Sequence, residues 1–176
     1  MGMHTEKAKP PTWLRTAFIG RHPERTLRRV AVLVVAGLVV FVVFSCLLLP
    51  IRVEGISMLP TYRNRQFNLV NRLSYCRHEP QRGDVVAIRT TGFHIMYLKR
   101  IIGLPGERVA FHRGHVTING QVLSEPYLKF ACDWELPPEV LGPDEYFLVG
   151  DNRSMPPGEH FMFKASRARI VGKVLF

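Results

Sequence analysis

Twenty consecutive residues, Val30 to Leu49, read VAVLVVAGLVVFVVFSCLLL and carry no charge. A helix of that length rises about 30 Å, the thickness of a bilayer's hydrocarbon core. The run therefore predicts a transmembrane helix over 30–49. A cleaved secretory signal has an apolar core of only about 7 to 15 residues, followed by a small-residue cleavage site. Here the apolar run continues into LLLPIR, which reads as a retained anchor. The preceding segment, 1–29, holds Lys7, Lys9, Arg15, Arg21, Arg25, Arg28 and Arg29 against Glu6 and Glu24, a net of +5. Positive residues flanking a span favour the cytoplasmic side. Segment 1–29 is thus expected inside, and residues 50–176 outside, as one folded domain of ordinary size.

Half of the formal net charge of +10 lies in that tail, and the rest is spread over residues 30–176. No nucleic-acid-binding signature accompanies the arginines. A basic flank beside a span attracts anionic headgroups, so the lipid bilayer, and not nucleic acid, is the expected partner. Of the three cysteines, Cys46 falls in the span, and Cys76 and Cys132 lack a characteristic spacing and are expected to stay unpaired. The cysteines with His78, His112 and His115 also lack the CxxC or HxxxH spacing of a metal site, and no cofactor is expected.

Beyond Pro50 short β-branched and aromatic runs alternate with Gly, Pro and Asn: 84–89, 94–102, 107–112, 115–118, 145–150 and 169–176. This punctuation predicts a mainly β domain of short antiparallel strands after the single helix. HVTINGQVL predicts a tight hairpin at Asn119-Gly120, and Arg113-Gly114 is expected to turn the pair before it. The proline-rich stretch 135–145 is expected to be a surface connection. Val53, Ile56, Met58 and Leu59 are expected to form an apolar rim that dips into the membrane interface.

Ser57, in VEGISMLPTY, is the candidate nucleophile. A serine hydroxyl needs a base. His78, His94, His112, His115 and His160 leave a serine–histidine–acid triad open, although no GxSxG motif is present. The other candidate is Lys99, in MYLKRIIGLPGE. Lysine becomes a base near neutral pH when burial disfavours its charged form, and Met96, Tyr97, Leu98, Ile101 and Ile102 supply the apolar surroundings. Strand alternation predicts that one of Lys99 and Arg100 points inward and the other snorkels to solvent.

Taken together, GISMLPT (55–61), RGDVVAI (82–88), YLKRIIGLPGE (97–107), VTINGQ (116–121), VGDNR (149–153) and IVGKV (170–174) resemble, in order, the motifs of bacterial type I signal peptidases. The resemblance covers the anchor and nearly all of 50–176. It implies a serine endopeptidase with a Ser/Lys dyad on a signal peptidase-like β domain, held in the plasma membrane, that removes signal peptides from exported preproteins close to the secretion machinery. Ser57 matches the nucleophile, whose backbone N–H serves the oxyanion hole, and Lys99 matches the general base. Met58 matches a residue lining the site, and Gly150, Asp151, Asn152 and Arg153 match a supporting motif.

Two departures from the family stand out. Gly55 occupies the place from which some members add an oxyanion-hole hydroxyl. After GDNR the chain reads SMPPGEHFMF (154–163), which puts Pro156, Gly158 and His160 where many members carry a lysine-orienting serine and an ion pair. Ser154 is the nearest substitute for that serine, and His160 with Glu159 reads as a surface pair. Two other readings stand beside the first: a Ser/Lys maturation peptidase dedicated to few substrates, and an anchored β module without activity.

Overall fold

A computed structural model describes residues 23–89, 96–160 and 164–175. Residues 1–22 of the basic segment, His94 and Ile95 of one expected strand, Phe161 to Phe163 of the altered stretch and Phe176 lie outside the described residues. The chain divides into two compact units, one ending at Val43 and one beginning at Phe44.

The first unit contains helix α1, Pro23–Val42. Proline suits the first turn, where its missing N–H would lack a partner anyway, and Glu24 complements the positive end of the helix dipole. The apolar side chains of α1 are exposed all round, as expected of a helix whose solvent is lipid. Helical structure continues through a π-helical turn, Val43–Leu47. It stops two residues short of the expected Leu49, because Leu48 and Leu49 begin strand β1, Leu48–Arg52. The Arg72 N–H donates to the Leu47 carbonyl at 2.9 Å, and the Arg72 guanidinium donates to the Ser45 carbonyl at 3.0 Å. These donors take up carbonyls that another turn of helix would have used.

The second unit is antiparallel β throughout. Its further strands are β2 (Phe67–Asn71), β3 (Val85–Arg89), β4 (Met96–Gly103), β5 (Arg108–His112), β6 (His115–Ile118), β7 (Gln121–Val122), β8 (Leu136–Val140), β9 (Glu145–Val149), β10 (Lys164–Ser166) and β11 (Ile170–Val174). A seven-stranded sheet runs β1-β2-β11-β3-β4-β9-β10, and a four-stranded sheet runs β7-β6-β5-β8. Both predicted hairpins form. Asn119 and Gly120 have φ of 52° and 86°, and Arg113 and Gly114 have 48° and 75°, the double positive φ that matches strand twist.

Strands β3 and β4 occupy the middle of the large sheet and are buried on both faces. Val85, Ala87 and Leu98 pack with Val53, Met58 and Tyr62, while Val86, Ile88 and Ile101 pack with Tyr146 and Leu148. A strand covered on both faces reads as continuous apolar sequence, as VVAI does. The stretch expected to be a surface connection instead supplies β8. Leu136 pairs with Phe111, Glu139 with Val109 and Val140 with Arg108, and the register shifts between Val109 and Phe111. Pro137 and Pro138 fall at that irregularity on an edge strand, where their missing N–H groups leave no ladder bond broken.

Candidate active site

Ser57 sits on a turn between β1 and β2. Val53 N–H donates to the Gln66 carbonyl at 2.8 Å and Arg65 N–H to the Val53 carbonyl at 2.7 Å, which ties the two ends of the loop together. Leu59 N–H to Ile56 O and Tyr62 N–H to Met58 O tighten the turn at 3.1 and 2.9 Å. Met58 is 2% exposed and plugs the turn into the core beside Leu98 and Ala87. Val53 and Met58 are therefore core residues and not an interfacial rim, because the turn folds down over β3 and β4; Ile56 remains exposed.

Three contacts hold the turn from the far side. Asn152 N–H donates to the Ser57 carbonyl at 2.9 Å, and Asn152 Nδ2 donates to the Ile56 carbonyl at 3.1 Å. Thr61 Oγ1 donates to Asp151 Oδ2 at 2.5 Å. A Cβ at Gly150 would lie 2.2 Å from the Ser57 carbonyl oxygen and 3.0 Å from His160 Cε1. Only glycine lets the two backbones pass so closely. Among the described residues, neither the N–H nor the hydroxyl of Ser57 has a hydrogen-bond partner.

Lys99, opposite Val86 on β4, is 2% exposed. Burial pushes its amine down from 10.5 to about 8, with the Asp151 carboxylate pulling partly the other way. Among the described residues the Lys99 side chain makes no hydrogen bond or ion pair, and none joins it to Ser57 Oγ. Arg100, its side chain 11% exposed, is mostly buried too, so alternation does not send either basic residue fully out to solvent. Its Nε and Nη2 donate to the two Asp151 oxygens at 2.8 and 2.6 Å, its Nη1 donates to the Gly83 carbonyl at 2.7 Å, and it lies 3.9 Å over the Tyr127 ring. A buried carboxylate in bidentate geometry outcompetes water for a guanidinium.

Arg153, fully buried, donates to Glu125 at 2.5 and 3.2 Å and to the Gly150 carbonyl at 3.0 Å, with Phe111 and Trp134 on its faces. Ser154 Oγ donates to Asn152 Oδ1 at 2.7 Å and makes no hydrogen bond to Lys99. His160 is not a surface residue paired with Glu159. The 3₁₀ turn Pro157–Glu159 carries it inward, where Nε2 lies 3.0 Å from the Asn152 carbonyl and the ring meets Trp134 edge-on at 4.6 Å. Burial, then the Lys99 charge, holds the His160 pKa down to about 4, so its ring is neutral at ordinary pH.

Sequence reading missed Arg100 as an ion-pair partner, as well as Thr61, Glu125, Tyr127 and the burial of His160. The partners of Glu125, Arg100 and Thr61 lie 28, 51 and 90 residues away in the chain, and no local pattern announces such pairs. The arrangement offers a hydroxyl with no internal partner, an unoccupied backbone N–H beside it and a lysine held near neutrality. These are the parts from which acyl transfer is built.

Residues 26–175 match the family model described as signal peptidase, peptidase S26. A signal peptidase I of Bacillus caldolyticus is 37% identical over 163 residues, covering 84% of this chain and 85% of its own. One from Leptolyngbya laminosa is 35% identical over 127 residues, covering 68% and 63%, and a probable signal peptidase I-2 of Synechocystis is 32% identical over 123 residues, covering 66% and 56%. This chain thus spans somewhat under two thirds of the length of the latter two. A solved signal peptidase I of Enterococcus faecalis aligns with 55% of this chain and 97% of its own at 26% identity, with a TM-score of 0.45. With the family match running from within α1 to the last strand, and with relatives above 30% identity along most of the chain, this protein belongs to the signal peptidase, peptidase S26, family.

Proposed function

We propose that this chain is a membrane-anchored serine endopeptidase that cuts signal peptides from exported preproteins, with Ser57 as nucleophile and Lys99 as general base. The observation that carries the reading is Lys99 itself: a buried lysine in a central strand, in no ion pair among the described residues and with its pKa pushed to about 8. Nothing in packing requires a lysine there, and a methionine would fill the same volume without desolvating a charge.

The chemistry proceeds in two halves. The neutral Lys99 amine takes the Ser57 proton as Oγ adds to the carbonyl that follows the last signal-peptide residue. The oxyanion is met by the Ser57 N–H, a kind of contact worth about 3 kcal/mol in comparable sites. The lysine ammonium then protonates the leaving amine, an acyl-enzyme remains, and Lys99 draws a proton from the water that releases it. Gly55 has no hydroxyl to add, so the protein's donor to the oxyanion is the backbone alone. Helix α1 anchors the chain in the plasma membrane, with 1–29 in the cytoplasm and the β domain outside it, in the vicinity of the secretion machinery.

The test is cleavage of a purified preprotein by the full chain in detergent, compared with Ser57→Ala and Lys99→Met. Both substitutions are expected to lower turnover by a factor on the order of 10⁴ or more while the fold persists. Undiminished cleavage in either variant would remove that residue from the mechanism.

A further inference from the structure

The stretch in which the chain departs from its family, 154–163, sends one polar ring into the interior. The turn Pro157–Glu159, closed by the His160 N–H on the Pro157 carbonyl at 3.0 Å, carries His160 to 2% exposure. A Cβ on Gly150 would meet both His160 Cε1, at 3.0 Å, and the Ser57 carbonyl oxygen, at 2.2 Å, so the ring and the nucleophile turn rest against the same glycine. Trp134 holds the ring edge-on, with 4.6 Å between centroids and 74° between planes. The same tryptophan donates from Nε1 to the Met155 carbonyl at 3.0 Å and so pins the loop that leads to His160.

A leucine would fill much of that space without a polar group to desolvate. What the imidazole adds is a hydrogen bond, from Nε2 to the Asn152 carbonyl at 3.0 Å. A carbonyl only accepts, so Nε2 carries the proton. The other donor to that carbonyl, the Met155 N–H, is long at 3.4 Å. Asn152, 5% exposed, is the residue that grips the nucleophile turn: its N–H donates to the Ser57 carbonyl at 2.9 Å and its Nδ2 to the Ile56 carbonyl at 3.1 Å. Ser154 Oγ donates to Asn152 Oδ1 at 2.7 Å, which keeps Nδ2 turned toward Ile56. Asn152 is thus held at its carbonyl by His160 and at its side chain by Ser154, while both of its N–H donors act on the turn.

We propose that His160 is a positioning residue for the reaction: its Nε2–H fixes the Asn152 carbonyl, and Asn152 sets where the turn presents the Ser57 hydroxyl and N–H. This role rests on the Ser57/Lys99 reading above and adds to it the residue that aligns the nucleophile. The histidine acts through Asn152 and does not take the serine proton, since its Nε2–H is directed at a carbonyl. A small displacement of a nucleophile is enough to lower a rate by one or two orders of magnitude.

The experiment compares two variants of the full chain in detergent. His160→Phe keeps an aromatic edge for Trp134 and removes the donor, whereas His160→Gln returns an N–H to the place of Nε2. Preprotein cleavage is followed well below the melting point of each variant, so that unfolding does not enter the rate. His160→Phe is expected to lower kcat about tenfold with KM little changed, and His160→Gln to recover most of that loss. Exchange of the Asn152 amide hydrogen, read by NMR, should quicken about tenfold in His160→Phe and stay near wild type in His160→Gln. The imidazole nitrogen shifts of wild type, one of seven histidines assigned by its loss in His160→Phe, should show the Nε2–H tautomer at pH 7.

Should His160→Phe fail to fold, His160→Asn, one methylene shorter than the glutamine, takes its place, and the tautomer is still read in wild type by labelling histidine. An Nδ1–H tautomer would overturn the proposal. So would a His160→Phe enzyme with unchanged kcat and unchanged Asn152 exchange, or equal loss of turnover in the phenylalanine and glutamine variants. Wild type that cleaves no preprotein, with the tautomer and the exchange rates as stated, would sink the peptidase reading and uphold the hold of His160 on the Ser57 turn.

Discussion

Lys99 and Arg153 are basic side chains buried to nearly the same degree, 2% and 0% exposed, in surroundings of opposite design. Around Arg153 every feature accommodates a cation: a bidentate carboxylate, a backbone carbonyl and two aromatic faces. Lys99 makes no hydrogen bond or ion pair among the described residues, and the Asp151 carboxylate is taken by Arg100. The difference follows from what each group can do. A guanidinium cannot shed its proton, so its burial demands a partner, whereas an amine can escape the desolvation cost by becoming neutral. A structural cation and a chemical base are thus distinguished by their neighbours and not by their depth.

This contrast predicts effects of opposite sign. Glu125→Gln leaves the Arg153 charge buried without its carboxylate and is expected to cost about 3–5 kcal/mol in a denaturant titration. Lys99→Met should instead stabilise the protein at pH 7. The folded-state pKa of about 8 lies below the ordinary 10.5, so stability falls as pH drops through that window and is at its lowered level at pH 7. Removing the group is expected to return about 2 kcal/mol. If both substitutions destabilise alike, Lys99 is held as a structural cation and the contrast fails.

Gly150→Ala probes the contact between the two regions. With its Cβ 2.2 Å from the Ser57 carbonyl oxygen, the variant must displace the nucleophile turn. Turnover is expected to fall about 10- to 100-fold, read as a drop in kcat. A smaller effect is expected at His160, whose folded-state pKa of about 4 lies below the ordinary 6.5. The unfolded chain takes up a proton between those values and the folded one does not, so stability declines as pH falls from 6.5 toward 4. His160→Gln should flatten that decline by about 1 kcal/mol in paired melts at pH 7 and pH 4.5.

What the sequence disclosed was local. The apolar run, the Asn119-Gly120 and Arg113-Gly114 turns and the strand within 84–89 are written in neighbouring residues, and so are the apolar residues that flank Lys99 in sequence. What it concealed depends on partners distant in the chain. Pro137 and Pro138 signal a loop until an edge position and a register shift against β5 make them tolerable. Alternation leaves open which of Lys99 and Arg100 turns outward, and Arg100 finds its partner only in Asp151, 51 residues later. His160 has no sequence cue for burial, since Pro156, Pro157 and Gly158 before it suggest an exposed turn. Met58 and Val53, near the anchor in sequence, suggest a membrane rim until the turn that carries them is seen folded over the core.

The most direct measurement is kcat/KM for preprotein cleavage by the wild-type chain from pH 4 to pH 10. The account predicts activity that rises with pH through a single limb near pH 8, the titration of a desolvated lysine. A limb between pH 4 and 6.5, with a plateau above it, would assign the base to a histidine such as His160 and contradict the central claim.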